Sequence, residues 1–357
     1  MRTMTMRERL LATLRGEPHD QVPFAEYEAT LLIDEVRQLL GPERIGRIRW
    51  TRIYRLDAPH CWFEEEPLPK QGLDGMRFTW HTPRGSMTRE TLIDPTYGSH
   101  STRKYYVQEL SDYDILDAYL DDVVVTFDPT PYQRDLRDVG DEGVVYMPVP
   151  RTPWQQLWVE WVNLEALAWH FADNEERVMR TVGKIERIRR DIYDGVSTLK
   201  PELVDIPDNI TAPAIGPERF ARFCLPAYQD LAARVAEYDG SVICHTDGDL
   251  KPLWSLIRES GLTGLDSFSP QPDNDTSVAE AVAQWPDKSL WMNFPSSVHL
   301  YPPEGIREQA REILRQGGNT GRIAILLSEN VPPYAWRTSL PIIAEELEAF
   351  GVPGCFR

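Results

Sequence analysis

Short apolar, β-branched runs recur along this chain and, through its second half, alternate with amphipathic helical stretches. That alternation is the sequence form of a parallel sheet wrapped by helices, because each parallel pair needs a crossover long enough to hold one. After a first helix over 6–15, the runs fall at 22–27, 123–127, 143–148, 203–207, 241–245, 264–268, 290–294 and 323–328. Helices are expected over 217–238, 251–260, 276–284, 305–315 and 339–350. Gly240, Gly261, Gly317 and Gly351 follow four of them, as left-handed helix terminators do. Eight strand candidates with helices between them predict an α/β fold, a (β/α)8 TIM barrel. An open doubly wound sheet is the competitor, but no Gly-x-Gly-x-x-Gly follows any of the runs.

Two segments exceed a minimal barrel. Residues 50–112, rich in Thr, Tyr, Trp and Arg with turns at Gly72, Gly75 and Gly85, read as β-hairpins inserted after strand 1. Residues 151–198 read as extra helices after strand 3, with Trp154, Trp158 and Trp161 at helical spacing, a stripe expected to pack as core or lid. No low-complexity tract or Gly/Ser linker marks a boundary, so a single domain over 1–357 is expected. The 38 Lys and Arg against 56 Asp and Glu leave a formal charge of −18, which argues against nucleic acid and an anionic membrane surface as partners. With no long apolar run and no signal-like start at Met1–Arg9, a cytoplasmic protein is expected. Cys61, Cys224, Cys244 and Cys355 are scattered without a Cys-x-x-Cys pair and are expected to be reduced.

A barrel concentrates its chemistry at the C-terminal ends of its strands. The residues there are polar and acidic: Glu26 and Tyr27, Asp128, Asp205 with Asp208 and Asn209, His245 with Asp247, Asp266, Asn293, and Ser328 with Glu329. The densest set is 244–249, Cys-His-Thr-Asp-Gly-Asp. His245 and Asp247 lie two apart at a strand-to-loop transition and Glu329 arrives from the last strand. One imidazole and two carboxylates form a workable set for Zn²⁺ or another divalent ion with positions open for substrate. The alternative is a His245 that pairs with a carboxylate and shapes the pocket. Cys244, in the opposite register, reads as a buried thiol, and Asp249 as the cap of the helix near Lys251. His299 reads as a solvated loop histidine. Trp291, Trp336 and Tyr334 lie near the last two strand ends, where they could stack on a planar ring or simply pack.

The stretch 7–23, Arg-Glu-Arg-Leu-Leu-Ala-Thr-Leu-Arg-Gly-Glu-Pro-His-Asp-Gln-Val-Pro, resembles the opening of the uroporphyrinogen decarboxylase superfamily. The turn at 82–85, the helix start Gly216-Pro217-Glu218-Arg219-Phe220 with 225–228, the segment 245–249 and Glu329-Asn330-Val331-Pro332 are similar to that superfamily in order, nearly end to end. The resemblance implies a barrel that decarboxylates a porphyrinogen without cofactor or, in another branch, moves a methyl group to or from a corrinoid. The arginine-bearing segment of true decarboxylases is replaced here by Pro23-Phe24-Ala25-Glu26-Tyr27-Glu28, which would repel a polyanion. In the thiol-methylating members zinc is held by a His-x-Cys pair and a later Cys. The matching positions here are His245, Asp247 and Glu329, so both thiolates are carboxylates, a set better suited to an oxygen or nitrogen leaving group.

The resemblance thus implies a methyltransferase taking a methyl group from a small O- or N-methyl substrate to cobalamin, free or on a corrinoid protein, with zinc assistance. His245, Asp247 and Glu329 would be catalytic and metal-binding. Tyr27, Asp205, Asn209, Asp266 and Asn293 would shape the substrate pocket. The alternatives are a metal-free decarboxylase or lyase on a small non-porphyrin substrate, and a barrel that binds a corrinoid or small molecule without turnover.

Overall fold

The computed structural model describes residues 3–28, 33–68, 74–94 and 99–352; Gly72 and Cys355 lie outside them. Eight parallel strands close into a barrel. They are β1 (Phe24–Tyr27), β2 (Gly46–Trp50), β3 (Gly143–Pro148), β4 (Leu203–Ile206), β5 (Ser241–His245), β6 (Gly264–Phe268), β7 (Ser289–Asn293) and β8 (Ile323–Leu327). Each pairs with its chain neighbour, and β1 closes on β8 through Phe24 and Ile325.

The described residues divide into two compact units. The first, Met1–Ile53, Pro129–Val149 and Leu199–Arg357, holds the whole barrel. The second, Tyr54–Asp128 and Pro150–Thr198, holds a four-stranded antiparallel sheet (Trp62–Pro67, Gly75–Thr82, Gly85–Ile93, His100–Lys104), a two-stranded one and several helices, of which Glu175–Leu199 runs 25 residues. Within that unit Trp154 and Trp161 are buried, Trp161 against Tyr106 and Tyr119, while half-buried Trp158 donates from Nε1 to Gln155 Oε1 at 2.6 Å. The tryptophan stripe is packing.

The barrel floor is set by the first helix, Met6–Arg15. Thr5 and Glu8 cap its start reciprocally, and Gly16 ends it at φ 64 with its N–H on Ala12 O. Its buried face, Met6, Leu10, Leu11 and Leu14, joins one apolar cluster with Ala25, Tyr27, Ile48, Val144, Tyr146, Leu203, Ile243, Trp291, Ala324 and Leu326. These strand residues occupy alternate positions, so they mark the inward face of each strand. Trp291 belongs to this floor, donating from Nε1 to Thr13 Oγ1 at 3.0 Å.

Two expectations about strands are corrected. The second barrel strand is 46–50, Gly-Arg-Ile-Arg-Trp, not 123–127, so the hairpins are inserted after β2 rather than β1. The β-branched run at Val124–Phe127 pairs antiparallel with Tyr54–Asp57 in the second unit, and Asp128 therefore does not end a barrel strand. The real β2 lacks an aliphatic signature because its outward face is ionic. Arg47 pairs with Glu28, Asp138 and Glu142, and Arg49 with Glu28, Asp135 and Asp138. Among the terminating glycines, Gly261 (φ 77) and Gly351 (φ 74) have positive φ, though Gly351 with ψ −142 is not left-handed helical, whereas Gly240 and Gly317 do not. The helix expected over 217–238 is interrupted: Ala212–Arg219 carries a non-helical Gly216, a π-turn spans Phe220–Cys224, and Leu225–Ala236 follows. Among the described residues, no helix is long and apolar enough to cross a membrane.

Candidate functional site at the carboxyl-terminal mouth of the barrel

Continuing the inward alternation by one step places Tyr27, Trp50, Tyr146, Asp205, His245, Asn293 and Ser328 around the C-terminal mouth. Asp266 joins them by its contacts, accepting from the Tyr27 hydroxyl on Oδ2 and from Tyr146 Oη on Oδ1 at 2.8 Å. His245, nearly buried, faces carboxylates on both sides: Nδ1 lies 3.4 Å from Asp266 Oδ2 and Nε2 lies 3.5 Å from Asp247 Oδ2. Burial alone would lower the His245 pKa, but Asp247 and Asp266 outweigh it and lift it to about 10. Burial would raise the Asp247 pKa, yet the His245 ring and the Asn209 amide hold it below its ordinary value. Glu329 is pushed up by burial and by its acidic neighbours, with His245 opposing.

His245, Asp247 and Glu329 each offer one donor atom, all within 4.8 Å of one another, and they form the one such cluster found among the described residues. Ligand atoms about 2.0–2.1 Å from a tetrahedral zinc stand roughly 3.4 Å apart, close to the His245–Asp247 separation of 3.5 Å. A zinc-binding imidazole almost always has its other nitrogen against a carboxylate or carbonyl, and Asp266 occupies that place. The donor set thus fits a first-row dication by chemistry and by the support of Asp266, and its His245–Asp247 pair fits by spacing.

The remaining expected residues divide. Asn209 donates from Nδ2 to Asp247 Oδ2 at 3.2 Å, and it does so from a left-handed backbone, φ 54. Asp205 is buried beside the two tyrosines, whose ionisation its charge opposes. Asn293 braces the loops instead, accepting from Ser328 N and donating to Ser296 Oγ, each at 3.2 Å. Glu26, between inward Ala25 and Tyr27, points away from the lumen, and Glu28 is engaged by Arg47 and Arg49. Cys244 is buried in the register opposite to His245, as expected. Asp249 does not cap the helix at Lys251; Asp275 does, accepting from the N–H groups of Leu250 and Lys251, while Asp249 accepts from Asp275 N. His299 is buried rather than solvated, with Nδ1 2.7 Å from Ser339 Oγ. Trp336 is buried and Tyr334 exposed.

Tyr146, Trp50 and Asn274 were not singled out from the sequence. Tyr146 is two residues beyond inward Val144, so extending the alternation along β3 would have found it. Trp50 was hidden with its strand; its ring packs tilted against Tyr27 with centroids 4.5 Å apart and remains 42% exposed. Asn274 donates to the backbone oxygens of Asp247 and Ser269 from a loop with no periodic signal.

Comparison with known proteins shows what the chain is similar to. The family model "Uroporphyrinogen decarboxylase (URO-D)" matches residues 163–334. A methyltransferase from Methanosarcina mazei superposes with a TM-score of 0.60 at 15% identity, covering 97% of this chain and 99% of that one. A B12-independent methionine synthase from Shewanella sp. W3-18-1 aligns with a TM-score of 0.42 at 9% identity, over 82% of this chain and 76% of that one. No curated protein matches the chain. The matched segment carries β4 to β8, and with them His245, Asp247, Asp266 and Glu329, inside a closed eight-stranded barrel; over that segment the chain is similar to the uroporphyrinogen decarboxylase family.

Proposed function

We propose that the protein is a corrinoid-linked methyltransferase that takes a methyl group from a small O- or N-methyl compound, with a divalent cation, zinc foremost, held by His245, Asp247 and Glu329. The observation that carries this reading is the convergence of one nitrogen and two oxygen donors at the barrel mouth, with Asp266 behind the imidazole. When bound, the cation would supply a Lewis acid for the leaving oxygen or nitrogen. The chain's own residues supply placement. Asn209 fixes the Asp247 carboxylate, Asn293 braces the loops after β7 and β8, and Trp50 presents an exposed ring at the rim. Hard N/O donors suit such leaving groups better than a thiolate acceptor, which soft sulfur ligands favour.

The inward side chains at the strand ends include no Arg or Lys, and a polyanionic porphyrinogen would meet Asp205, Asp247, Asp266 and Glu329 instead of a cationic cradle. The similarity in fold to a protein named as a methyltransferase is in keeping with the reading. The test is metal content by elemental mass spectrometry for wild type, His245→Ala and Glu329→Ala, followed by a screen of O- and N-methyl donors with reduced cobalamin, read as methylcobalamin absorbance. Near-stoichiometric zinc lost in both variants, with methylcobalamin formed by the wild type, is expected. A protein that takes up no metal after zinc loading and methylates no cobalamin would overturn the proposal and favour a metal-free lyase or a binding barrel.

A further inference from the structure

We infer that Tyr27 and Tyr146 are positioning residues for the metal centre, acting on His245 through Asp266. This rests on reading His245, Asp247 and Glu329 as metal ligands. Asp266 is fully buried, and both of its oxygens are occupied: Oδ1 accepts from Tyr146 Oη at 2.8 Å, and Oδ2 accepts from the Tyr27 hydroxyl while facing His245 Nδ1 at 3.4 Å. The peptide behind it is fixed as well, since Asp266 O accepts from Thr246 N at 2.9 Å and His245 O accepts from Ile210 N at 3.1 Å.

A buried carboxylate with two phenol donors cannot rotate freely, and its Oδ2 keeps a second lone pair for the imidazole. A proton kept on Nδ1 leaves Nε2 to face Asp247, the side on which the cation would sit. The two tyrosines reach Asp266 from β1 and β3, across the lumen from β6, so the imidazole is braced through three strands rather than by its own loop. Their rings are themselves held in the barrel interior, with Tyr27 and Tyr146 edge-on at 6.2 Å and Tyr146 packed 5.8 Å from Trp291. The fold therefore places the rigid part of the centre in the core and leaves Asp247 and Glu329 on the loops.

The experiment measures zinc affinity by competition with a chromophoric chelator, the electronic spectrum of the cobalt(II)-loaded protein, and the His245 Nδ1 proton resonance of the ¹⁵N-labelled metal-free protein. The variants are Tyr27→Phe, Tyr146→Phe and Asp266→Asn, with Tyr228→Phe as a control that removes a buried phenol bonded to Asp208 instead. Loss of a residue that supports a metal ligand typically weakens metal binding about ten- to hundredfold. A loss of that size, an altered cobalt spectrum and a displaced Nδ1 resonance are expected for the three variants and not for the control. A purely structural role would lower thermal stability and leave these readouts in place. Zinc affinity within about twofold of wild type together with an unmoved Nδ1 resonance in both tyrosine variants would overturn the inference. Should the wild type bind no metal, the metal reading fails on that result, and the Nδ1 resonance alone decides whether the tyrosines orient His245.

Discussion

Glu26 is fully buried, and neither of its carboxylate oxygens has a hydrogen-bond partner among the described residues. Burial, reinforced by the charge of Glu28 and opposed by Arg37, pushes its pKa from 4.5 up to about 8. Between those values the native protein binds more protons than the unfolded chain, so this group's contribution is intact below pH 4.5 and is lost as pH rises through about 8. At about 1.4 kcal/mol per pH unit, the whole window is worth on the order of 5 kcal/mol, of which roughly 3–4 falls between pH 5 and 8. Glu26→Gln keeps the shape of the protonated acid and cannot ionise. Urea unfolding at pH 5, 6, 7 and 8 should show the variant gaining on wild type by about 1 kcal/mol per pH unit, with zinc uptake unchanged because Glu26 points away from the lumen. Stability curves that run parallel across this range would refute the burial argument. Loss of zinc in the variant would refute the assigned orientation.

Other consequences can be checked on the same protein. Burial lowers the His299 pKa to about 4, so its ring resonances should show no inflection from pH 8 to 5.5. Its contribution is present above pH 6.5 and on the order of 3 kcal/mol is lost as pH falls to about 4; a midpoint near 6.5 would contradict this. Gly46→Ala would place a Cβ 2.3 Å from Met6 Cγ, a clash expected to cost about 1–3 kcal/mol. Met6→Ala should relieve part of that cost in a double-mutant cycle, and additive effects would argue against the clash. Leu10→Ala empties a fully buried position in the barrel floor and should cost about 2–5 kcal/mol in denaturant unfolding without changing metal content; unaltered stability would mean that the floor is not packed as described.

The barrel was readable where each strand is buried on both faces and mostly apolar. Ser241–His245, Gly264–Phe268 and Ile323–Leu327 are buried along their whole length, so hydrophobicity alone located them to within a residue or so. It failed at Gly46–Trp50, whose outer face exchanges aliphatic packing for Arg47 and Arg49 among Glu28, Asp135, Asp138 and Glu142. It also mistook Val124–Phe127, where β-branched residues serve an antiparallel pair. Strand ends located His245, Asp247 and Glu329 because a carboxylate or imidazole ending an apolar strand is conspicuous. Tyr146 gave no such signal, since an inward tyrosine looks like core until its hydroxyl is seen on Asp266.

Asn209 and Ser267, neither a glycine, are held at φ 54 and φ 53, a conformation that costs on the order of 1–3 kcal/mol unless the surroundings impose it. Asn209 uses that bend to reach Asp247. Ser267 sits at the register irregularity between β6 and β7, directly after Asp266, with its hydroxyl 2.6 Å from Ser328 Oγ and so beside the start of the Glu329 loop. Both distortions therefore act on the positions of carboxylates around His245 rather than on the packing of the barrel. Below them the lumen is closed by tyrosine, tryptophan and the first helix, a low-dielectric floor that strengthens every charge interaction above it. Carboxylates gathered over such a floor with a single imidazole, and kept there by strained backbone, are costly in isolation. A bound cation is the simplest counterpart that would turn that cost into affinity.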